Sequence, residues 1–278
     1  MLRTKNKLTI FDDNNSTFTD YSNEALDYDR DTFTVTLNSS TSYLYVGFYK
    51  PISTFYIELG TANVNAGSLT GQYYNGSSWV SLTGMFDESA SLTRSGFIQW
   101  DRNLTDEAEV AVDGTTLYWY RFQPSVTHSA TVVNGLNIIF ADDQDLKREY
   151  FEASEFLPNG EGSHILTHVA ARDHIIQYLR NSGHFKESQA TGRMKDITVF
   201  DILDIGQIKL AATYLALGKI FLSVQDNVDG VHLEKSRHFM SLYSTAIKTF
   251  YLDLDADDDG VQDEEEVLAS ATGRLLRR

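Results

Sequence analysis

All three prolines, Pro51, Pro124 and Pro158, and all three tryptophans, Trp79, Trp100 and Trp119, fall before residue 159 of this 278-residue chain. Proline removes a backbone donor and breaks a helix interior, so the proline-free stretch from 159 onward is free to run as helices. The first half is rich in aromatics and turn residues. Two architectures on one chain follow: an α+β protein with an antiparallel β-sandwich or jelly roll over residues 1–142 and a helical bundle over 143–278.

The β assignment rests on alternation. Thr32-Phe33-Thr34-Val35-Thr36-Leu37 switches between polar and apolar residues, which puts one face of a strand in a core. The pattern recurs at Tyr43–Tyr49, Thr54–Leu59 and Thr116–Phe122. Asn75-Gly76 lies between two strand-like flanks and predicts a tight hairpin with positive φ at both residues. Asp113-Gly114 and Asn134-Gly135 are expected to punctuate later strands in the same way. Tyr73, Tyr74 and Trp79, with Trp100 beside them, form a candidate glycan-facing platform, although alternation favours a core position for the tryptophans.

In the second half Ser163 is a reasonable N-cap for a helix reaching Ser182, where Gly183 gives a stop signal. Ile165, Leu166, Val169, Ile176 and Leu179 make its apolar stripe. His164 and His168 share a face of that helix, a spacing that suits a metal, but Ile165 stands where a metalloprotease places its general-base Glu. A solvated helix face is the expectation for the pair. A second helix over Val199–Val224 is apolar around most of its circumference, and a third runs to Leu252 with Phe239, Leu242, Ala246, Ile247 and Phe250 inward and Lys235, Arg237, Ser241 and Lys248 outward.

A formal net charge of −16 argues against an unassisted phosphate-binding surface, since nucleic-acid affinity rests on Lys and Arg neutralising phosphates. The absence of cysteine excludes disulfides, thiolate metal sites and a cysteine nucleophile. No apolar stretch reaches bilayer length; Leu210–Leu222 is broken by Thr213, Gly218 and Lys219. No secretory signal is expected, and the chain is expected to be made in cytoplasm without membrane contact. Asp87, Glu88, Asp101, Asp106, Glu107 and Glu109 supply carboxylates that a glycosidase would need, but no nucleophile, phosphate loop or metal triad accompanies them, so no enzyme is expected.

Asp255-Ala256-Asp257-Asp258-Asp259-Gly260-Val261-Gln262-Asp263-Glu264-Glu265-Glu266 fits a twelve-residue calcium loop. Side-chain oxygens come from Asp255, Asp257 and Asp259, a carbonyl from Val261, a water-mediated contact from Asp263 and a bidentate clasp from Glu266. The segment resembles loops of the EF-hand, dockerin and thrombospondin-repeat kind. It departs at Gln262, where paired EF-hands carry an apolar residue, so a structural Ca²⁺ fits better than a sensor. A helix is expected before the loop and another over Glu265–Arg274.

Tyr73-Tyr74-Asn75-Gly76-Ser77-Ser78-Trp79, followed by Ser95-Gly96-Phe97-Ile98-Gln99-Trp100, resembles a pattern in virion proteins of tailed bacteriophages. The helices carrying Tyr214, Leu217, Phe221 and Tyr243 are similar to head–tail adaptor subunits that join portal and tail. The resemblance implies a virion location and a non-enzymatic neck subunit repeated in a ring, its helices against the portal, tail proteins and neighbouring copies. The basic end, Arg274, Arg277 and Arg278, would then dock on a neighbour. The rival reading is a carbohydrate-binding or host-recognition tail protein that works through its β module.

Overall fold

The computed structural model describes residues 9–14, 17–26, 32–101, 106–158, 161–182, 185–187, 194–224, 230–249, 251–253 and 267–269. The chain is α+β, with antiparallel sheets in its N-terminal half and helices in its C-terminal half. It divides into two compact units, Met1–Ile138 and Ile139–Arg278.

The first unit contains β1 (Thr9–Asn14), β2 (Thr17–Asp20), a short helix α1 (Ser22–Leu26), β3 (Phe33–Val35), β4 (Ser42–Phe48), β5 (Thr54–Thr61) and β6 (Leu69–Tyr74). It continues through β7 (Trp79–Ser81), β8 (Phe86–Asp87), β9 (Gly96–Gln99), β10 (Val110–Val112), β11 (Thr115–Pro124) and β12 (Thr131–Asn137). One sheet has the order β2-β1-β4-β11-β6-β7, with β10 paired to β11; the other has the order β3-β12-β5-β9-β8. Every pairing is antiparallel.

The sheets meet through aromatic side chains. Phe55 of β5 stands edge-on to Phe122 of β11 at 5.4 Å between ring centroids, and Trp100 lies 4.8 Å from Tyr120. Leu44, Val46, Ile57, Phe97 and Leu136 complete this core and are nearly inaccessible to water. Burying each such side chain stabilises the fold by about 1.5–3 kcal/mol before the entropy of ordering is charged against it. The alternation in Thr32–Leu37 is present as expected, with Phe33, Val35 and Leu37 buried and Thr34 exposed.

The turns divide. At Asp113-Gly114 both residues have positive φ, 45° and 76°, and Val112 pairs with Thr115, so this is a two-residue hairpin. At Asn75-Gly76 only Gly76 has positive φ, 89°. The loop spans Asn75–Ser78 and is closed by the Asn75 carboxamide, whose Oδ1 accepts from the backbone N–H groups of Ser77 (3.1 Å) and Ser78 (2.9 Å). The hairpin forms, but by an Asn-centred loop instead of the tight turn. Asn134-Gly135 makes no turn at all. It lies inside β12 at register shifts against β5, where one or more extra residues bulge out of the ladder.

The second unit contains α2 (Asp143–Glu149), a 3₁₀ turn (Phe151–Phe156), α3 (Ile165–Asn181), a strand pair β13 (Phe185–Glu187) and β14 (Met194–Asp196), a second 3₁₀ turn (Val199–Asp201), α4 (Gly206–Ser223), α5 (Val231–Thr249) and a strand pair β15 (Tyr251–Asp253) and β16 (Val267–Ala269). A capping box starts α2: Asp142 Oδ1 accepts from the N–H of Gln144 and Asp145, and Asp145 returns a bond to the Asp142 N–H. α4 is in contact with α2, α3 and α5. That explains its apolar composition, with Ile208, Leu215, Leu217 and Phe221 all at or near zero exposure. The expected all-round burial is incomplete, because Leu210 and Leu222 remain about half exposed at 48% and 51%. Leu166, placed in the α3 stripe by spacing, is also exposed, while His168, Ala171 and Ile175 are buried in that helix.

Candidate functional site

Strand alternation gives the larger sheet an outer face with its own aromatic chemistry. Residues directly opposite in antiparallel strands share a face, and the register sets Tyr45 against Arg121, Arg121 against Gln72, Gly47 against Trp119 and Tyr74 against Trp79. Tyr43, two residues from Tyr45, joins them. The intervening residues Leu44, Val46, Tyr120, Phe122 and Tyr73 point the other way, into the core.

On the outer face Tyr45 and Trp119 are buried with Val112, and Phe18, Tyr43, Trp79, Val110 and Leu117 pack around them while staying part exposed. The rings meet edge to face: Trp79 lies 5.7 Å from Tyr45 and 5.7 Å from Tyr74, and Tyr45 lies 6.3 Å from Trp119. Quadrupoles favour such T-shaped pairs. Trp119 reaches its place because its partner on β4 is glycine, and its indole N–H donates to the Thr115 carbonyl at 3.0 Å.

Arg121 crosses the centre of this face. Its guanidinium lies 4.4 Å from the ring centroid of Tyr43 and 4.4 Å from that of Trp79. Its Nε donates to Gln72 Oε1 at 2.7 Å. Each ring contact holds the cation by about 0.5–2 kcal/mol, depending on how far water is excluded. Half-exposed rings beside a fixed set of N–H donors can stack on the apolar face of a sugar and hydrogen-bond its substituents.

The residues expected to face a glycan therefore separate. Tyr74 and Trp79 stand on this outer face. Tyr73 turns inward, 5% exposed, with its hydroxyl on Asp106 Oδ1 at 3.0 Å. Trp100 is a core residue as alternation favoured, whereas Trp79 is half-buried outside the core. Tyr43, Gln72 and Arg121 were missed. The signal was available in the alternation Leu117-Trp119-Arg121 once the Tyr74–Trp79 hairpin fixed which face was outermost.

Of the six candidate carboxylates, Asp87, Asp106 and Glu107 are engaged within the fold. Asp106 and Glu107 accept from the hydroxyls of Tyr73 and Tyr120, and Asp87 accepts from the Ser89 hydroxyl and the Ser91 N–H. Beside Asp87, Ser91 Oγ and His128 Nε2 lie 2.9 Å apart, with Ala90, Ser91 and Leu92 all at positive φ. Both side chains are sealed from solvent. Burial lowers the His128 pKa, and the Asp87 charge opposes that shift.

His164, the N-cap of α3, and His168 within it do not lie on a solvated face. His164 and His168 are each 3% exposed, because Asp143 arrives from α2 to meet them. His168 Nε2 is 3.0 Å from Asp143 Oδ1, the His164 N–H donates to the same carboxylate, and His164 Nε2 lies 3.0 Å from the Ala153 carbonyl. Burial alone would raise the Asp143 pKa; the hydrogen bond and charge of His168, with the charge and N–H of His164, outweigh it and hold the carboxyl below its ordinary value. No group of three metal-ligating side chains occurs among the described residues.

Asp255, Asp257, Asp259, Val261, Asp263 and Glu266 lie outside the described residues. Their flanks differ from the expected helices. α5 ends at Thr249, and β15 pairs antiparallel with β16, Tyr251 opposite Ala269 and Asp253 opposite Val267. The β-branched and aromatic residues at Tyr251 and Val267 suit a pleated strand better than a helical turn. Among the described residues no helix is long and apolar enough to cross a membrane.

No protein-family model matches the chain, and no curated protein matches it. Solved structures give partial likenesses. A chitosan-binding module from a chitosanase/glucanase of Paenibacillus sp. IK-5 superposes with a TM-score of 0.28 at 11% identity, over 41% of this chain and 80% of that one. A pectin-binding carbohydrate-binding module gives 0.27 at 12%, over 42% and 77%. A family 89 glycoside hydrolase from Clostridium perfringens gives 0.29 at 9%, over 64% of this chain but 20% of its own length. These superpositions are loose, and the site is read from its own residues.

Proposed function

We propose that this protein is a non-enzymatic carbohydrate-binding or host-recognition protein whose β module, a sandwich of the two sheets, binds sugar on the outer face around Arg121. The observation that carries this reading is the half-buried aromatic and guanidinium array itself: Tyr43, Tyr74 and Trp79 around a cation that two rings hold in place. A core does not require half-exposed tryptophan; a sugar-stacking surface does. Binding of the full chain to an array of immobilised glycans tests it. Binding that Trp79→Ala abolishes with an unchanged circular dichroism spectrum supports the reading, and retention of no glycan by the wild type refutes it.

A second reading keeps the virion context. The C-terminal helices, taken as a bundle, would serve as the assembly part of a head–tail connector or neck subunit that forms a ring with its own copies against portal and tail proteins. Support comes from large apolar side chains left at the surface of the helical unit, Phe151 at 87% exposure with Leu166, Leu210, Leu222 and Val231 near half. Immunogold labelling of particles decides between positions. Label at the head–tail junction supports a connector, label at the tail tip or fibres supports host recognition, and particles without label remove the virion assignment. A structural Ca²⁺ in the Asp255–Glu266 loop is part of either reading.

A further inference from the structure

Among the described residues, Arg121 is a cation on this face with no carboxylate partner. Its Nε is used by Gln72, and neither Nη group has a protein acceptor among the described residues. Among the described residues no carboxylate lies within ion-pair distance of it, in contrast to Arg148 on Asp145, Arg172 on Asp173 and Lys209 on Asp145. This happens in a chain with 39 acidic residues against 23 basic ones, where a carboxylate neighbour is easy to supply. The cation is also fixed: two rings at 4.4 Å and the Gln72 bond leave its fork little freedom. A guanidinium presents N–H groups that match a carboxylate in a bidentate pair, and pre-ordering it lowers the cost of binding.

From this geometry we infer that the outer face is specific for carboxylate-bearing glycans, with Arg121 pairing the sugar carboxylate while Trp79, Tyr43 and Tyr74 take the ring faces. The inference rests on the proposed glycan-binding function and adds its ligand class. Uronic acids and sialic acids carry the same planar anion. Sulfated sugars carry a tetrahedral anion that a guanidinium can also pair, so they are the competing class that the test has to separate. The net charge of −16 adds a condition: the acidic protein repels an acidic polymer at long range, so recognition depends on the local Arg121 contact and not on a general positive field.

The test uses the full chain against an array holding neutral, uronate-bearing, sialylated and sulfated oligosaccharides. The best-bound carboxylated glycan is then compared, by calorimetry, with its carboxyl-reduced neutral counterpart. We expect the carboxylated glycans to dominate and carboxyl reduction to weaken binding by roughly ten- to a hundredfold, the usual weight of a charge-assisted hydrogen-bonded pair. Arg121→Gln, checked for folding by near-ultraviolet circular dichroism, should lose affinity by a similar factor, and Arg121→Lys should recover only part of it because the planar fork is gone. The carboxyl-reduced probe keeps the test independent of whether the variants fold. Uronate over sialate, or the reverse, names the source of the carboxylate and supports the inference either way. Preference for neutral or sulfated glycans overturns it and leaves the glycan-binding function standing. Binding of no glycan of any class overturns both.

Discussion

Trp119 lies against the backbone of Gly47, its direct partner across β11 and β4, so closely that a Cβ built on the glycine would sit 2.6 Å from ring atoms Cε3 and Cζ3. The indole is wedged there with its N–H committed to Thr115, so it has no slack to yield. Gly47→Ala should therefore cost about 1–3 kcal/mol, the usual penalty of overpacking. Urea unfolding followed by tryptophan fluorescence measures it. Adding Trp119→Leu should recover part of the loss, since residues in contact are not additive. Full additivity of the two changes would show that the contact does not govern the site.

Asp143 gives a pH dependence with a definite sign. Its carboxyl is held below the ordinary value of 3.8, against burial, by His168 and His164. A depressed folded pKa means stability that is complete above the unfolded value and is lost as pH falls through the folded one. Asp143→Asn should destabilise the protein at neutral pH, and the gap between wild type and variant should narrow as pH drops below about 4. Thermal unfolding across that range reads the two curves. Parallel curves would mean that Asp143 does not titrate as a paired group.

Much of this fold is legible in the sequence because it rests on local rules. Alternation at Thr32–Leu37 and Thr116–Phe122, the Asp113-Gly114 hairpin and the proline-free helices each need only near neighbours. What was not legible depends on distant partners. The solvated appearance of His164 and His168 is reversed by Asp143, which lies 25 residues from His168 in sequence. Asn134-Gly135 carries a strong turn signal, yet pairing with β5 absorbs it as a bulge. Arg121 reads as an ordinary polar residue of a strand; its role follows from Tyr43 and Trp79, brought over it by two other strands.

Tyr243 offers a change in the opposite direction. Its hydroxyl is buried with no hydrogen-bond partner among the described residues, and burial with a contribution from Tyr178 pushes its pKa up to about 12. A buried hydroxyl that bonds to nothing has lost its water for no return. Tyr243→Phe keeps the ring, including its edge contact with His174 at 5.8 Å, and removes the unsatisfied oxygen. The variant should be as stable as the wild type or more stable, by up to about 1 kcal/mol. A clear loss of stability by urea titration would show that the hydroxyl is satisfied in solution.

Calcium is the last test. β15 and β16 pair so that Asp253 stands opposite Val267, which brings together the two ends of the segment that carries Asp255, Asp257, Asp259, Val261, Asp263 and Glu266. A closed loop with oxygen donors at those spacings has less chain entropy left to lose when it wraps a cation that prefers six to eight hard oxygens. Ca²⁺ should therefore raise the melting temperature of the full chain relative to the same protein in a chelator. At a free concentration a hundredfold above Kd, linkage predicts about 2.7 kcal/mol of added stability. Mg²⁺, which demands tighter octahedral geometry, should give a smaller shift. Asp259→Asn combined with Glu266→Gln should remove the Ca²⁺ response while leaving the chelator-treated melting point close to that of the wild type. Identical melting with and without Ca²⁺, together with no heat of binding by calorimetry, would show that the acidic segment is a solvated run of charge.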